Sequence, residues 1–154
     1  MRKLILLLFL PALSFSQSIQ VDQDRYTAQE LIEEVLIQSD CITDVVVTNV
    51  SGANFTDGNK SFGYFHAAGT EFPISNGLVL STGKLNTISE PTSNLANDFH
   101  SGWDGDSQLE AELNIDSYNA TIIEFDFVPN VAGISFRYLF ASEEYQFDNS
   151  VTCY

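Results

Sequence analysis

Residues 121–145 decide the fold, and they read TIIEFDFVPNVAGISFRYLFASEEY. In the first half, apolar side chains from Ile123 to Phe127 alternate with the acidic residues Glu124 and Asp126. Pro129-Asn130-Val131-Ala132 breaks the run, and apolar side chains alternate again from Ile134 to Phe140. Alternation with a period of two among β-branched and aromatic residues is typical of half-buried strands. The stretch therefore predicts two strands joined by a turn.

An antiparallel hairpin satisfies both faces of these two strands in a single register. The cross-strand pairs would be Val128–Gly133, Phe127–Ile134, Phe125–Phe136 and Glu124–Arg137. The Phe127–Ile134 and Phe125–Phe136 pairs lie on one face, and the pair of opposite charges lies on the other, where a cross-strand ion pair contributes to pairing. Because one register explains both faces, we predict that the two segments form a hairpin.

The composition indicates a folded, strongly acidic protein. The chain has 154 residues, 44% of them hydrophobic, which is enough for one domain with a sizeable core. It carries 21 acidic and 6 basic residues, for a formal net charge of −15. This balance argues against binding to nucleic acid or anionic membranes, since both require positive charge. The acids are either a solvated extracellular surface or, in part, oxygen ligands for a cation such as Ca²⁺.

The first 16 residues have the pattern of a secretory signal peptide. Met1-Arg2-Lys3 is a short basic segment, Leu4 to Leu13 is apolar, and Ser14 and Ser16 precede a cleavage site at Gln17. The apolar run is too short for a transmembrane helix. We expect a mature segment from residue 17 to residue 154 that is secreted or held at the cell surface, does not insert into a membrane, and has a net charge of −17 once Arg2 and Lys3 are removed.

Two cysteines, Cys41 and Cys153, remain in the exported segment. Export permits disulfides, and two cysteines allow a single pairing, so we predict a Cys41–Cys153 bond. Closing so long a loop stabilises a fold by roughly 4–5 kcal/mol in the chain-entropy model. The alternative is a pair of unlinked thiols.

The rest of the chain predicts two short helices and several strands. Thr27 and Glu30 are spaced as a capping box, and a helix from about 28 to 37 follows. Ser107 and Glu110 have the same spacing at the start of a second helix that ends by Leu113. A run rich in Val and Thr predicts a strand at 42–50, aromatic residues predict a short one at 62–65, and an apolar run bounded by glycines predicts one at 77–83. A long polar loop covers 84–103.

The order of these features resembles the choice-of-anchor L domain, a module of exported bacterial surface proteins. The matching segments are 30–36, 41–45, 63–65, 72–83, 105–106, 124–129 and 134–145, of which the last two are the most specific. At Ser107-Gln108-Leu109 the chain has one residue more than members of that family tend to have. The resemblance covers nearly all of residues 25–154.

The resemblance implies that further strands follow in related proteins, and then a variable segment that anchors or sorts the protein. Val151-Thr152-Cys153-Tyr154 shows no turn, tail or sorting signal of its own. We therefore expect that the domain is incomplete at its C-terminus and that an anchoring or sorting domain lies downstream.

The acidic residues near the end of the second strand are the first candidates for a site. Glu143 and Glu144 could act as acid and base with a carboxylate of Asp104, Asp106 or Glu124, as in glycoside hydrolysis. Neighbours in a strand point to opposite faces, so the two glutamates do not form such a pair with each other. The alternative is that they hydrogen-bond loop backbone and fix the end of the strand.

A calcium site is the second candidate. Its ligands would be oxygen atoms of Asp104, Asp106, Glu143, Glu144 and Asp148. The spacing is not that of an EF-hand. Separately, Trp103 stands in a polar loop and is a candidate for stacking on a ligand, whereas the aromatic residues of the strands are expected in the core.

We therefore predict a mainly β protein, an antiparallel β-sandwich or jelly-roll-like domain with one or two short peripheral helices. We expect a non-catalytic extracellular module that serves adhesion, recognition or display, with an extracellular protein or a glycan as its ligand. One alternative is a hydrolase, or the accessory domain of one, that acts on extracellular polysaccharide through the acidic residues. The other is a structural spacer, because a sandwich hosts many functions.

Overall fold

The structure is a computed structural model, and it describes residues 19–52, 55, 57–88 and 103–141. The strands are β1 (Gln20–Asp22), β2 (Ile42–Ser51), β3 (Phe62–His66), β4 (Asn76–Leu80) and β5 (Ile122–Pro129). Helix α1 (Ala28–Glu30) continues as a π-helical segment (Leu31–Leu36), a 3₁₀ turn covers Leu85–Thr87, and α2 spans Ser107–Leu113. Among these residues no helix has the length and apolar character needed to cross a membrane.

The strands form two antiparallel sheets, which confirms the mainly β, sandwich-like fold. One sheet has the order β1-β3-β4, and the other pairs β2 with β5. The sequence predicted β2, β3 and β4 to within a few residues and missed the three-residue strand β1. So short a strand carries too little alternation to be detected by its pattern.

The predicted first helix is confirmed, together with its capping box. The Thr27 hydroxyl accepts a hydrogen bond from Glu30 N, and the Glu30 carboxylate accepts one from Thr27 N at 2.7 Å. Leu31 and Val35 of the π-helical segment are buried against Phe62 of β3. Val50 of β2, Tyr64 of β3, Leu78 of β4 and Ile123 of β5 pack around this cluster. The helix thus fills the space between the sheets.

The predicted hairpin of β5 with residues 134–140 is wrong in this structure. β5 pairs instead with β2, so that Phe125 lies opposite Val47 and Glu124 opposite Asn49. Residues 133–140 form no strand, and Arg137 donates to the carbonyl oxygen of Pro73 at 3.0 Å. The pattern identified a strand correctly at β5 but could not identify its partner, because β2 offers the same apolar alternation from a distant part of the sequence.

One edge of the two-stranded sheet is covered by a side chain. The Gln29 carboxamide accepts a hydrogen bond from Val47 N and donates one to the carbonyl oxygen of Val45, both at 2.8 Å. It therefore takes the place of a neighbouring strand on the backbone groups of β2 that do not pair with β5. Such coverage protects an edge from pairing with another chain.

The hydroxyl groups of buried Ser61 and half-buried Thr121 tie the two sheets together at one end. Ser61 is fully buried, its N–H donates to Gly52 O, and its hydroxyl is hydrogen-bonded to the hydroxyl of Thr121. Thr121 Oγ1 in turn donates to Ser81 O at 2.6 Å. Because these residues adjoin the ends of β2, β3, β4 and β5, the network joins four strands from both sheets.

We expect the Thr121→Val substitution to destabilise the fold. Valine matches the shape of threonine but leaves Ser81 O and the Ser61 hydroxyl without this partner, which costs about 1–3 kcal/mol when the groups are buried. The free energy of unfolding in urea measures the effect. Thr43→Val, on the exposed part of β2, is the control and should change stability by less than about 0.5 kcal/mol. Equal stability of the two variants would contradict the role of the network.

Candidate functional site

Trp103 lies at the start of the segment that leads into α2. Its indole Nε1 donates to the carbonyl oxygen of Ala120 at 2.9 Å, and its ring packs edge-on against Phe55 with centroids 4.9 Å apart. Only 8% of the residue is exposed. The sequence placed Trp103 in a polar loop, but its indole links that loop to the residues before β5. Ligand binding by this ring stays a prediction that its burial does not favour.

Asp106, a predicted calcium ligand, is the N-cap of α2. Its carboxylate accepts hydrogen bonds from Gln108 N at 2.8 Å and Leu109 N at 3.0 Å. The sequence assigned this capping role to Ser107, one residue too late. Because Asp also accepts well from N2 and N3 donors, the two assignments are hard to separate by pattern.

A second set of contacts fixes the loop that carries Asp106. Ser117 accepts a hydrogen bond from Asp106 N at 2.8 Å, and both the N–H and the hydroxyl of Ser117 donate to the Glu110 carboxylate. Gly105 passes so close to the Ser117 carbonyl that a Cβ at this position would collide with it. The neighbouring Asp104 forms an isolated antiparallel bridge with Tyr118. These contacts give the Gly105-Asp106 pair a structural role.

The predicted calcium site is only partly within the described residues. Asp104 and Asp106 are close in sequence, but Glu143, Glu144 and Asp148 lie outside the part of the chain that the structure describes. Within that part, no group of three His, Cys, Asp or Glu side chains is arranged to hold a metal ion. Calcium binding and the acid–base role of the two glutamates therefore stay predictions.

The predicted disulfide has the same status. Cys41 is half-buried at the start of β2, and its carbonyl oxygen accepts a hydrogen bond from Asn130 N at 2.9 Å. Cys153 lies outside the described residues. The pairing of the two thiols stays a prediction.

Two substitutions of Asp106 separate capping from calcium binding. Asn caps helices as well as Asp but is a weaker calcium ligand, whereas Ala does neither. If the carboxylate serves as a cap, Asp106→Ala should lower the free energy of unfolding by about 1 kcal/mol and Asp106→Asn should leave it nearly unchanged. Urea unfolding measures both variants.

Thermal melts with calcium and with a chelator complete this test. A wild-type midpoint that does not respond to calcium contradicts the predicted calcium site. A calcium-dependent midpoint that is lost in both Asp106→Asn and Asp106→Ala would instead show that Asp106 is a ligand.

The four basic side chains of the described residues are all engaged within the fold. Lys60 binds the carbonyl oxygen of Gln23 and the Asp24 carboxylate, and Lys84 binds Asp57 at 3.0 Å. The Arg25 guanidinium lies over the rings of two tyrosines, Tyr26 and Tyr64, and Arg137 donates to Pro73 O. Because only Lys60 and Lys84 bind a carboxylate, most carboxylates of the described part have no basic partner there.

Among the described residues, two carboxyl groups have a shifted pKa, and both shifts favour the ionised form. The hydrogen bond from Lys84, with further bonds from Asn59, lowers the pKa of Asp57 from 3.8 to about 2. Hydrogen bonds from the backbone and side chain of Thr27 lower the pKa of Glu30. A general acid needs the opposite shift, so these two groups are suited to binding turns and helix ends.

The contribution of Asp57 to stability should depend on pH. Because its pKa is lower in the folded state than in the unfolded state, its contribution is full above about pH 5 and is lost as the pH falls from about 4 to about 2. Asp57→Asn should therefore lower the urea midpoint at pH 7, and its difference from wild type should shrink steadily towards pH 2.

The matched control is Asp116→Asn, which changes an exposed carboxylate that has no hydrogen-bond partner among the described residues. It should give no comparable pH-dependent difference. A difference for Asp57→Asn that stays constant from pH 7 to pH 2 would contradict the assigned pairing with Lys84.

Three strongly exposed aromatic side chains lie in the segment that follows β5. Phe136, Tyr138 and Phe140 are 72%, 81% and 75% exposed, and the rings of the first two are 6.2 Å apart. The sequence predicted that these rings face a partner strand within a hairpin. In the structure they face solvent, so the alternation that predicted a strand now marks an exposed apolar surface, which we call the aromatic segment (residues 133–140).

A shallow groove of about 540 Å³ lies beside the end of the helix and is open to solvent. Its lining residues are Glu33, Ile37, Gln38, Ser39, Asp40, Ile42, Thr43, Asp44 and Val45. The groove combines three carboxylates with a few apolar atoms, and nothing in its geometry selects a particular ligand.

Comparison with known proteins identifies one family. The family model described as "Choice-of-anchor L domain" matches residues 20–154. No curated protein and no solved structure matches the chain. The match covers every element of the fold described above, from β1 to the aromatic segment.

Proposed function

The chain belongs to the choice-of-anchor L domain family, and we propose that it is a non-catalytic recognition module that binds its partner through the aromatic segment. The family places the protein outside the cell or at its surface. Adhesion to an extracellular protein or glycan is the function that this arrangement supports best. Anchoring would be the task of a different segment, as the family resemblance implies.

The observation that carries this proposal is the exposure of three aromatic rings in one short segment. Aromatic side chains are usually buried or placed at interfaces, because each ring carries a large apolar area. Contiguous apolar surface that is exposed to solvent marks interaction sites in soluble proteins. Phe136, Tyr138 and Phe140 alternate along the segment, so their rings can contact one partner together.

The non-catalytic part of the proposal is supported by what the carboxylates do. Asp106 and Glu30 cap helices, Glu110 holds Ser117, and Asp57 binds Lys84. Asp22 accepts hydrogen bonds from the backbone of the next turn. Each of these acids has a partner that stabilises the fold, and none of these contacts requires a substrate.

Binding of protein-coated beads to cells tests the proposal. Beads that carry the purified wild-type protein should bind to the surface of the cells that produce it. The Phe136→Ser/Tyr138→Ser double variant should bind at least tenfold more weakly, since loss of a well-packed aromatic contact typically costs more than about 1 kcal/mol and a tenfold change equals about 1.4 kcal/mol.

The matched control is Tyr118→Ser, which removes a ring that is 74% exposed beside Asp104, in a separate part of the chain. It should bind like the wild type. Circular dichroism and thermal melts of all three proteins check that the fold is intact. Equal binding by the double variant and the wild type would contradict the proposal and favour a spacer.

A further inference from the structure

The outer edge of β5 lacks a strand neighbour in the described part of the chain. β5 is eight residues long and pairs there only with β2. Alternate peptide groups of an edge strand point away from its neighbour and can pair with another strand. On β2 the corresponding groups are covered by Gln29, but no described residue covers those of β5 in this way. Among the described residues, β5 is therefore the open edge of this sheet.

The side chains at the end of β5 are also exposed. Phe127 and Val128 are 38% and 49% exposed, and Phe127 continues the face on which Ile123 reaches the core. Phe125 and Phe127 lie side by side on that face, with their rings 5.9 Å apart. A strand added to this edge would cover these rings, provided that its own apolar side chains lie on the same face.

The aromatic segment has the side chains that this edge needs. In the register with Phe125 opposite Phe136, its aromatic residues fall on the face of Phe125 and Phe127, and Arg137 falls opposite Glu124. Opposite charges directly across two strands are favourable. Arg137 now contacts only a backbone carbonyl, with no carboxylate bound to it in the described residues.

The alternative of pairing two copies of β5 with each other is unfavourable. Glu124 and Asp126 lie on the same face of β5, so an antiparallel pair of β5 strands would bring carboxylates together without a cation. Like charges opposite each other oppose pairing. The edge thus favours a strand that carries a basic residue.

Within one chain the segment is held away from β5. Asn130 is fixed to the start of β2 by hydrogen bonds to the carbonyl oxygens of Cys41 and Asp40, both at 2.9 Å. Arg137 is fixed to Pro73, just before β4. The same contacts hold the segment in every copy, so an exchange requires Arg137 of each copy to leave Pro73 O for Glu124 of the other copy.

We propose that the aromatic segment of one copy adds as an antiparallel strand to the open edge of β5 in a second copy, and that the exchange is reciprocal. The proposal rests on the proposed function and names its partner as a second copy of this chain. Each dimer would contain two Glu124–Arg137 pairs and two sets of covered aromatic rings. Exchange of identical elements in this way is an established route to symmetric dimers. On a surface protein it would give adhesion between like cells.

Two charge-reversal variants test the exchange directly. Glu124→Arg and Arg137→Glu each place like charges across both interfaces of a homodimer, so each alone should weaken dimerisation at least tenfold. An equimolar mixture forms a heterodimer in which one interface keeps the native pair and the other has the pair reversed. Mixing should therefore restore the wild-type mass, measured by light scattering and sedimentation of the purified proteins.

Asp116→Arg is the control for Glu124→Arg, because it makes the same change of charge at an exposed site elsewhere. It should dimerise like the wild type. Thermal melts check that each variant is folded. A wild type that stays monomeric at every concentration overturns the proposal, as does a mixture that fails to restore the dimer.

The two proposals can fail separately. If the chain is monomeric but beads with Phe136→Ser/Tyr138→Ser still lose binding to cells, the aromatic segment recognises a different partner and only the strand exchange is overturned. If each charge variant loses stability as a monomer and mixing has no effect, β5 accepts the segment of its own chain, which also overturns the exchange.

Discussion

The hydrogen bond between the hydroxyl groups of Ser61 and Thr121 is the contact on which the arrangement of the two sheets depends. Ser61 directly precedes β3 and Thr121 directly precedes β5, so this bond connects strands that share no backbone pairing. The further bonds to Gly52 and Ser81 bring in the ends of β2 and β4. Because Ser61 is fully buried, water cannot replace these partners, and the free energy of the network depends on all of its members being present. The apolar cluster around Leu31 packs between the two sheets that this hydrogen-bond network connects.

The few basic side chains of this acidic protein make contacts within the fold, and most carboxylates of the described part have no basic partner there. The basic side chains of the described residues form internal contacts: Lys84 with Asp57, Lys60 with Asp24, and Arg25 over tyrosine rings. These contacts are partly exposed, so each contributes modestly to stability. Their larger effect is on the surface, where the remaining carboxylates are not neutralised. A chain with a formal net charge of −15 repels its own copies at long range, so any contact between copies must bring a complementary charge to a defined position. Arg137 is the cation best suited to such a contact, because its partner in this structure is a neutral carbonyl group.

The sequence predicted the local features of this fold and failed on a distant one. The capping box of Thr27 and Glu30 depends on residues three positions apart, and both of its hydrogen bonds are present. The second helix was also found, although its cap is Asp106 and not the adjacent serine. Strand pairing is different, because a period-two pattern shows which face is apolar but not which strand lies alongside. The sequence therefore predicted β5 as one strand of a hairpin, whereas in the structure β5 pairs with β2. The burial of Trp103 was missed for the same reason, since Ala120 and Phe55 reach it from separate parts of the chain.

The predicted hairpin is absent and the aromatic rings are exposed for the same reason: residues 133–140 do not pair with β5 in the structure. A sequence that alternates as strongly as residues 133–140 usually has a neighbouring strand, because an unpaired strand leaves its backbone groups and its apolar face without partners. In the part of the chain that the structure describes, the neighbour that the pattern suggests, β5, has an unpaired outer edge, and the segment itself is exposed. The outer edge of β5 and the aromatic segment do not pair within one chain, but in the proposed exchange they pair between two copies of it. The residues that misled the assignment of the hairpin are therefore the ones on which the proposed strand addition depends, and the proposal follows from their pattern more directly than from any chemistry of the carboxylates.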